Sequence, residues 1–136
     1  WAELSWGTTF GAACAVFVMP EGGQRTAIEH LWCILCTEAQ HLVWKLWCQR
    51  VVRNDGGDFT EDEVTYSSYM TLESQLSLDR CMAVLYATGK TVTSVGPNNL
   101  APLVKRIWLP VIDQGSDLPP KWVIDCGVLM GIKCGH

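Results

Sequence analysis

The sequence predicts a mostly α-helical protein that is built on an antiparallel pair of long helices. Two stretches, 26–53 and 61–88, place apolar residues at helical spacing. Each stretch opens on the Thr-x-x-Glu pattern of a capping box. The segment between them is short and polar, as is usual where two helices form a hairpin. A chain of 136 residues fits one domain, so we predict a single helical domain over 1–136.

The first predicted helix, 26–53, carries one apolar stripe. Its members follow one another at steps of four or three residues, and they are Ile28, Trp32, Leu35, Ala39, Leu42 and Leu46. Thr26 and Glu29 predict a capping box at its start. Arg50 and Arg53 fall in its last turn, where cations complement the negative end of the helix dipole.

The second predicted helix, 61–88, begins at a capping box formed by Thr60 and Glu63. Asp79 and Arg80 interrupt its inner face, whose predicted members are Tyr69, Leu72, Leu76, Ala83 and Tyr86.

A third, shorter helix is predicted over 99–109, with Asn99 as its cap and Pro102 in its first turn, where the missing N–H costs little. The apolar segments 1–19 and 122–132 show no clear periodicity, so we expect irregular structure at both ends.

Charge limits the partners of the chain. The net charge is −4 and the isoelectric point is about 5.2. An acidic chain is poorly suited to bulk, nonspecific binding of phosphates, so any nucleic-acid contact must come from a local patch.

The stretch "HLVWKLWCQRVV" is the strongest candidate for such a patch. Tryptophan beside cations is what single-stranded nucleic acid requires. The competing interpretation is a helix buried on two faces with its cations reaching into water, and this is the more common arrangement. The candidate nucleic-acid-binding residues are Trp44, Lys45, Trp47, Arg50 and Arg53, with Lys105 and Arg106 as a second patch.

Seven cysteines at irregular spacing favour reduced thiols over a disulfide framework. We therefore expect an intracellular protein of the cytoplasm or nucleus. A secreted protein with disulfides is the competing possibility. The longest apolar run, "FGAACAVFVMP", is too short for a membrane helix, so no membrane partner is expected.

Zinc ligands are suggested by His30, Cys33, Cys36 and His41. Because structural zinc usually takes its ligands from two separate elements, and these four residues lie in one predicted helix, we predict buried thiols with no metal and no cofactor.

Catalysis by a thiol requires a neighbouring base, and His41 with Cys36, Cys48 or Cys126 is the conceivable set. No local motif supports any of these pairs. The acidic run 61–63 is better explained as charges at a helix start. We therefore predict no catalytic residue, with a small enzyme or an apolar-pocket ligand binder as the alternative.

Several motifs resemble one family when they are taken in order. "EAQHLVWKLWCQRVV", "WAELSWGTTFGA", "LSLDRCM" and "DLPPKWVIDCGVLMGI" are similar to segments of the polyproteins of mushroom-type fungal non-LTR retroelements. The resemblance covers Trp1 to about Ile132. It lies in the helical C-terminal tail of that family, which follows the reverse transcriptase, RNase H and zinc-binding segments.

The resemblance implies a non-catalytic helical module that packs on upstream catalytic domains or guides nucleic acid to them. It also fits a chain that opens at Trp1, which we expect to be a piece of a longer protein. Cationic positions of the family are here His30, Cys33 and Trp47, and a family glutamate is Gln49. This copy is therefore less basic than its relatives.

Overall fold

The computed structural model describes residues 5–53, 57–88, 100–112, 117–125 and 132. Most of these residues are helical, and none of them lies in a β-strand. The mostly α prediction is therefore confirmed. The four α-helices within the described ranges are α1 (Trp6–Phe10), α2 (Thr26–Val52), α3 (Glu61–Ala87) and α4 (Leu100–Trp108).

The described chain divides into two compact units, Trp1–Leu72 and Glu73–His136. The first contains α1, a short 3-10 turn at Ala12–Cys14, α2 and the beginning of α3. The second contains the rest of α3 and α4. A single domain over 1–136 stays a prediction.

The N-terminal segment contains a helix that the sequence pattern did not identify. Ser5 and Thr8 cap α1 reciprocally, because each backbone N–H donates to the hydroxyl of the other residue, at 2.8 and 3.1 Å. A turn precedes α2, and in it Gly22 adopts a φ of 87°, which glycine tolerates without strain. An isolated bridge between Val18 and Gln24 closes this turn.

The capping box predicted at the start of α2 is wrong. Arg25 is the N-cap residue and its side chain makes no capping bond. The Glu29 carboxylate instead accepts from the backbone N–H of Phe17 at 2.8 Å and from the Gln24 amide at 2.6 Å. The Phe17 N–H is part-buried and needs an acceptor, which explains why the carboxylate turns away from the helix terminus.

The core of the first unit lies under the N-terminal half of α2. Ala12, Trp32 and Cys36 form a buried cluster, against which Ala15 and Phe17 pack. The rings of Phe17 and Trp32 meet edge to face, with centroids 6.1 Å apart.

The predicted stripe of α2 is only partly buried. Trp32 and Leu42 are buried, whereas Ala39 is exposed. Leu31 is fully buried although the stripe did not include it. α2 and the beginning of α3 line one apolar cavity, so their facing stripes share a common space. Antiparallel packing along the full length of the hairpin stays a prediction.

Two polar side chains anchor the core of the second unit. The indole N–H of the fully buried Trp108 donates to the Asp79 carboxylate at 2.7 Å. The Arg80 guanidinium donates to the carbonyls of Trp122, at 2.9 Å, and of Asp125. The residues that seemed to interrupt the inner face of α3 therefore hold the segment that packs against it.

The remaining predicted helix boundaries agree with the structure. α3 begins at the predicted capping box, in which Thr60 N–H donates to Glu63 at 2.8 Å and Glu63 N–H donates to the Thr60 hydroxyl at 3.2 Å. α4 covers nearly the predicted range, with Pro102 in its first turn. Its predicted cap, Asn99, lies outside the described residues.

Substitution of Thr60 by alanine is expected to destabilise the protein by about 1 kcal/mol, because the hydroxyl that caps α3 is removed. Thr26→Ala is the matched control and should change stability by less than about 0.5 kcal/mol, since no side chain caps α2. Urea denaturation followed by circular dichroism measures both. Equal losses in the two variants would contradict the assignment.

The same capping box makes stability depend on pH. Hydrogen bonds from the backbone and then the side chain of Thr60 lower the pKa of Glu63. A lowered folded-state pKa stabilises the protein above the unfolded value, about 4.3, and the stabilisation is lost as pH falls through the folded-state value. Glu63→Gln should therefore lose stability relative to wild type at pH 7 and approach it in acid, as urea denaturation at several pH values would measure.

Trp108→Phe is expected to cost about 1–3 kcal/mol more than Trp122→Phe. Both indoles are fully buried, but the Trp122 N–H has no hydrogen-bond partner in the described part of the chain. The difference between the two unfolding free energies therefore reports the bond to Asp79. If the two variants lose equal amounts of unfolding free energy, the hydrogen bond to Asp79 contributes nothing to stability.

Candidate nucleic-acid interface

The two tryptophans of the candidate patch are exposed and stack on each other. Trp44 and Trp47 expose 62% and 55% of their surface. Their ring centroids are 5.4 Å apart and the rings are inclined by 27°. Residues three apart on a helix are neighbours, which explains the contact. The interpretation of this helix as buried on two faces is therefore wrong for its C-terminal half.

Three cations lie around this tryptophan pair, and all three are exposed. Lys45 lies between the two tryptophans in sequence, and Arg53 follows the last residue of α2. Arg50 forms an ion pair with Asp58 at 2.8 Å. Because both partners of that pair are largely exposed, it is worth no more than about 1 kcal/mol, so a phosphate can compete with Asp58 for the guanidinium.

An open trough runs along α2 beside Trp44. It has a volume of about 480 Å³ and lies on one helical face, lined by His41, Trp44, Lys45, Cys48, Gln49, Val52 and Arg53. Trp47 is absent from this lining, so only one of the two indoles borders the trough. Two cations, Lys45 and Arg53, line the trough together with Trp44.

The second predicted patch lies in the other unit. Lys105 is half-buried and Arg106 is exposed, both on the last turn of α4. The buried residues of that helix are Val104, Ile107 and Trp108. Lys105 and Arg106 thus border the packed face of α4 and have no exposed aromatic neighbour on that helix.

The suspected reactive set does not assemble on α2. Residues 36 and 41 lie about 140° apart round a helix, and residues 41 and 48 are about 10 Å apart along it, so His41 reaches neither thiol as a base. Burial, and secondarily the neighbouring Cys33 thiol, raise the pKa of Cys36. The Cys36 thiol is therefore protonated and inert at neutral pH. Cys126 lies outside the described residues.

No three histidine, cysteine or acidic side chains of the described residues are arranged to hold a metal ion. The cysteines at 14, 33, 36, 48 and 81 are free thiols. Among the helices that the structure describes, none is long and apolar enough to cross a membrane.

A second exposed aromatic pair was missed by the sequence analysis. Trp6 and Phe10 of α1 expose 72% and 69% of their surface, with centroids 5.8 Å apart and the rings inclined by 22°. Their spacing of four residues was the available signal, but no periodicity identified a helix there. α1 carries no cation, which distinguishes this pair from Trp44 and Trp47.

Comparison of this chain with known protein families, with curated proteins and with solved structures found no match.

Cys36 should be alkylated more slowly than the exposed Cys14 and Cys81, by roughly an order of magnitude, because burial blocks the reagent and keeps the thiol protonated. Timed iodoacetamide labelling at pH 8, with mass spectrometry of the peptides, measures the rates. In urea the three rates should converge. Labelling of Cys36 as fast as Cys81 in the folded protein would contradict its assigned burial.

Proposed function

We propose that this protein is a non-catalytic helical module that binds single-stranded nucleic acid through the tryptophan face of α2, defined as Trp44, Lys45, Trp47, Arg50 and Arg53. In the context of the resemblance to retroelement polyproteins, its role is to guide a nucleic acid to the reverse transcriptase and RNase H domains, or to pack on them, inside the cell. Lys105 and Arg106 provide a second place for phosphate contacts.

The single observation that supports this proposal is the exposed indole stack. The two rings cover one another on their inner sides and leave an outer face on each. Stacking of a base on an aromatic ring is worth about 1–3 kcal/mol and tolerates every base, since all bases have a π-face. The tryptophan face therefore suits unpaired bases, whereas those in a duplex are already stacked.

The charges support weak, local binding. Three cations flank the stack, whereas the whole chain carries a net charge of −4. With up to about three phosphates contacted, log Kobs should fall with log[salt] at a slope of about −2 for a single strand. A steeper slope would require cations that the tryptophan face does not contain.

Titration of the protein with a fluorescently labelled poly(U) oligonucleotide at several salt concentrations tests the proposal. Trp44→Ala and Trp47→Ala should each weaken binding about tenfold, the loss of roughly 1.4 kcal/mol of stacking. Lys45→Ala should reduce the salt slope by about 0.7, since one phosphate contact is removed.

Matched controls are available on the same chain. Trp6→Ala removes an exposed, stacked indole that has no cation on its helix, and Lys121→Ala removes an exposed lysine from the other unit. Both should bind as wild type does. No binding of wild type at about 50 mM salt, or equal losses in Trp6→Ala and Trp44→Ala, would overturn the proposal.

A further inference from the structure

The first unit contains an apolar cavity between α2 and the beginning of α3. Its volume is about 270 Å³. Its walls come from two helical stripes that face each other, and they comprise Leu35, Glu38, Ala39, Leu42 and Val43 from α2 and Val64, Ser68, Thr71 and Leu72 from α3. All of these residues belong to the first unit.

The cavity exists because small side chains occupy the middle of both stripes. Ala39 on α2 and Ser68 on α3 lie between larger apolar residues, and neither can reach across the space between the helices. The cavity is half-open, because Ala39 and Val43 remain exposed and leave apolar surface in contact with water. An apolar ligand that covers this surface binds favourably, since apolar area is then removed from water.

The walls offer almost nothing to a polar ligand. Leu42 is buried, and Leu35 and Leu72 are half-buried. The hydroxyls of Ser68 and Thr71 each donate to a carbonyl of their own helix, at 2.8 Å, so these donors are already used. Water that enters this half-open cavity therefore finds few polar partners and is readily displaced by an apolar ligand.

Glu38 is the charged residue of the lining. Its carboxylate lies 3.8 Å from the Nδ1 of the exposed His41, at the margin of the cavity. A negative charge at the mouth disfavours an anionic ligand such as a fatty acid, because like charges repel one another at short range. An uncharged ligand meets no such penalty.

We infer that this cavity is a binding site for an uncharged apolar molecule of about eight to ten carbon atoms. An apolar cavity of about 150 Å³ accommodates one benzene ring, so 270 Å³ accommodates two fused rings or a medium-length aliphatic chain. The space is too small for a helix of a partner protein, whose diameter is about 10 Å. The site is separate from the tryptophan face and does not depend on the proposed nucleic-acid binding.

Calorimetric titration with 1-octanol and naphthalene tests the inference, with octanoate as the anionic comparison. Wild type should bind the two neutral probes saturably, at one molecule per chain, and its Tm should rise with probe concentration because the ligand binds only the folded state. Octanoate should bind at least about tenfold more weakly, and Glu38→Gln should reduce that difference. The absence of saturable binding of either neutral probe would overturn the inference.

Variants that fill the cavity with a larger side chain test whether the ligand binds there. Ser68→Leu should abolish binding of 1-octanol and raise the Tm of the free protein, because the added side chain occupies the void. Ala39→Leu fills the same space from α2, and it tests the site if Ser68→Leu proves unstable.

Ser77→Leu makes the same exchange beside a different apolar pocket, which is lined by Ser77, Arg80, Cys81, Val84, Leu85 and Val123. This control should bind 1-octanol as wild type does. Loss of binding in Ser77→Leu, or unchanged binding in folded Ser68→Leu and Ala39→Leu, would show that the site lies elsewhere.

Discussion

The first unit depends on the packing of the N-terminal segment against α2. Two side chains of α2 hold this segment in place through hydrogen bonds. Glu29 accepts from the backbone N–H of Phe17, and the Gln40 amide donates to the carbonyl of Thr9 at 2.8 Å. Between these two ties, Trp32 and Cys36 are buried. Beyond Leu42 no residue of α2 is buried.

This unequal coverage divides α2 into a partly buried first half and a mostly exposed second half. Its first half carries the core cluster, in which an aromatic pair and a protonated thiol are buried. Its second half exposes Trp44 and Trp47 together with Val43, Val51 and Val52. Indoles left in water by the fold are available to bases or to a partner domain, and the neighbouring cations favour the nucleic acid of the proposed function.

The second unit depends on two half-buried charged side chains, Asp79 and Arg80, that form hydrogen bonds with its core residues. Asp79 receives the indole N–H of Trp108, and Arg80 satisfies backbone carbonyls of the segment that contains Trp122. Burial of a large aromatic ring is favourable, but its N–H requires a partner when water is removed. A charged residue on the inner face of a helix is therefore compatible with a core when the neighbouring element supplies polar atoms for it.

The sequence by itself determined α2, α3 and α4 but not the short α1, because long helices are identified by the spacing of apolar residues and by capping residues close in the chain. The stripe of α2, the Thr60–Glu63 capping box and Pro102 in the first turn of α4 are local signals of this kind. The candidate residues of the tryptophan face were also identifiable from their order alone.

Tertiary structure decided which of these signals prevailed. Glu29 does not form its predicted capping bond, because its carboxylate accepts from the Phe17 N–H, which lies twelve residues away in the chain. Asp79 and Arg80 gained partners 29 and more than 40 residues away, which no local pattern reveals. The exposure of Trp44 and Trp47 and the void beside Ala39 and Ser68 depend on what covers each helix. Periodicity identifies an apolar face, but only packing determines how much of it is removed from water.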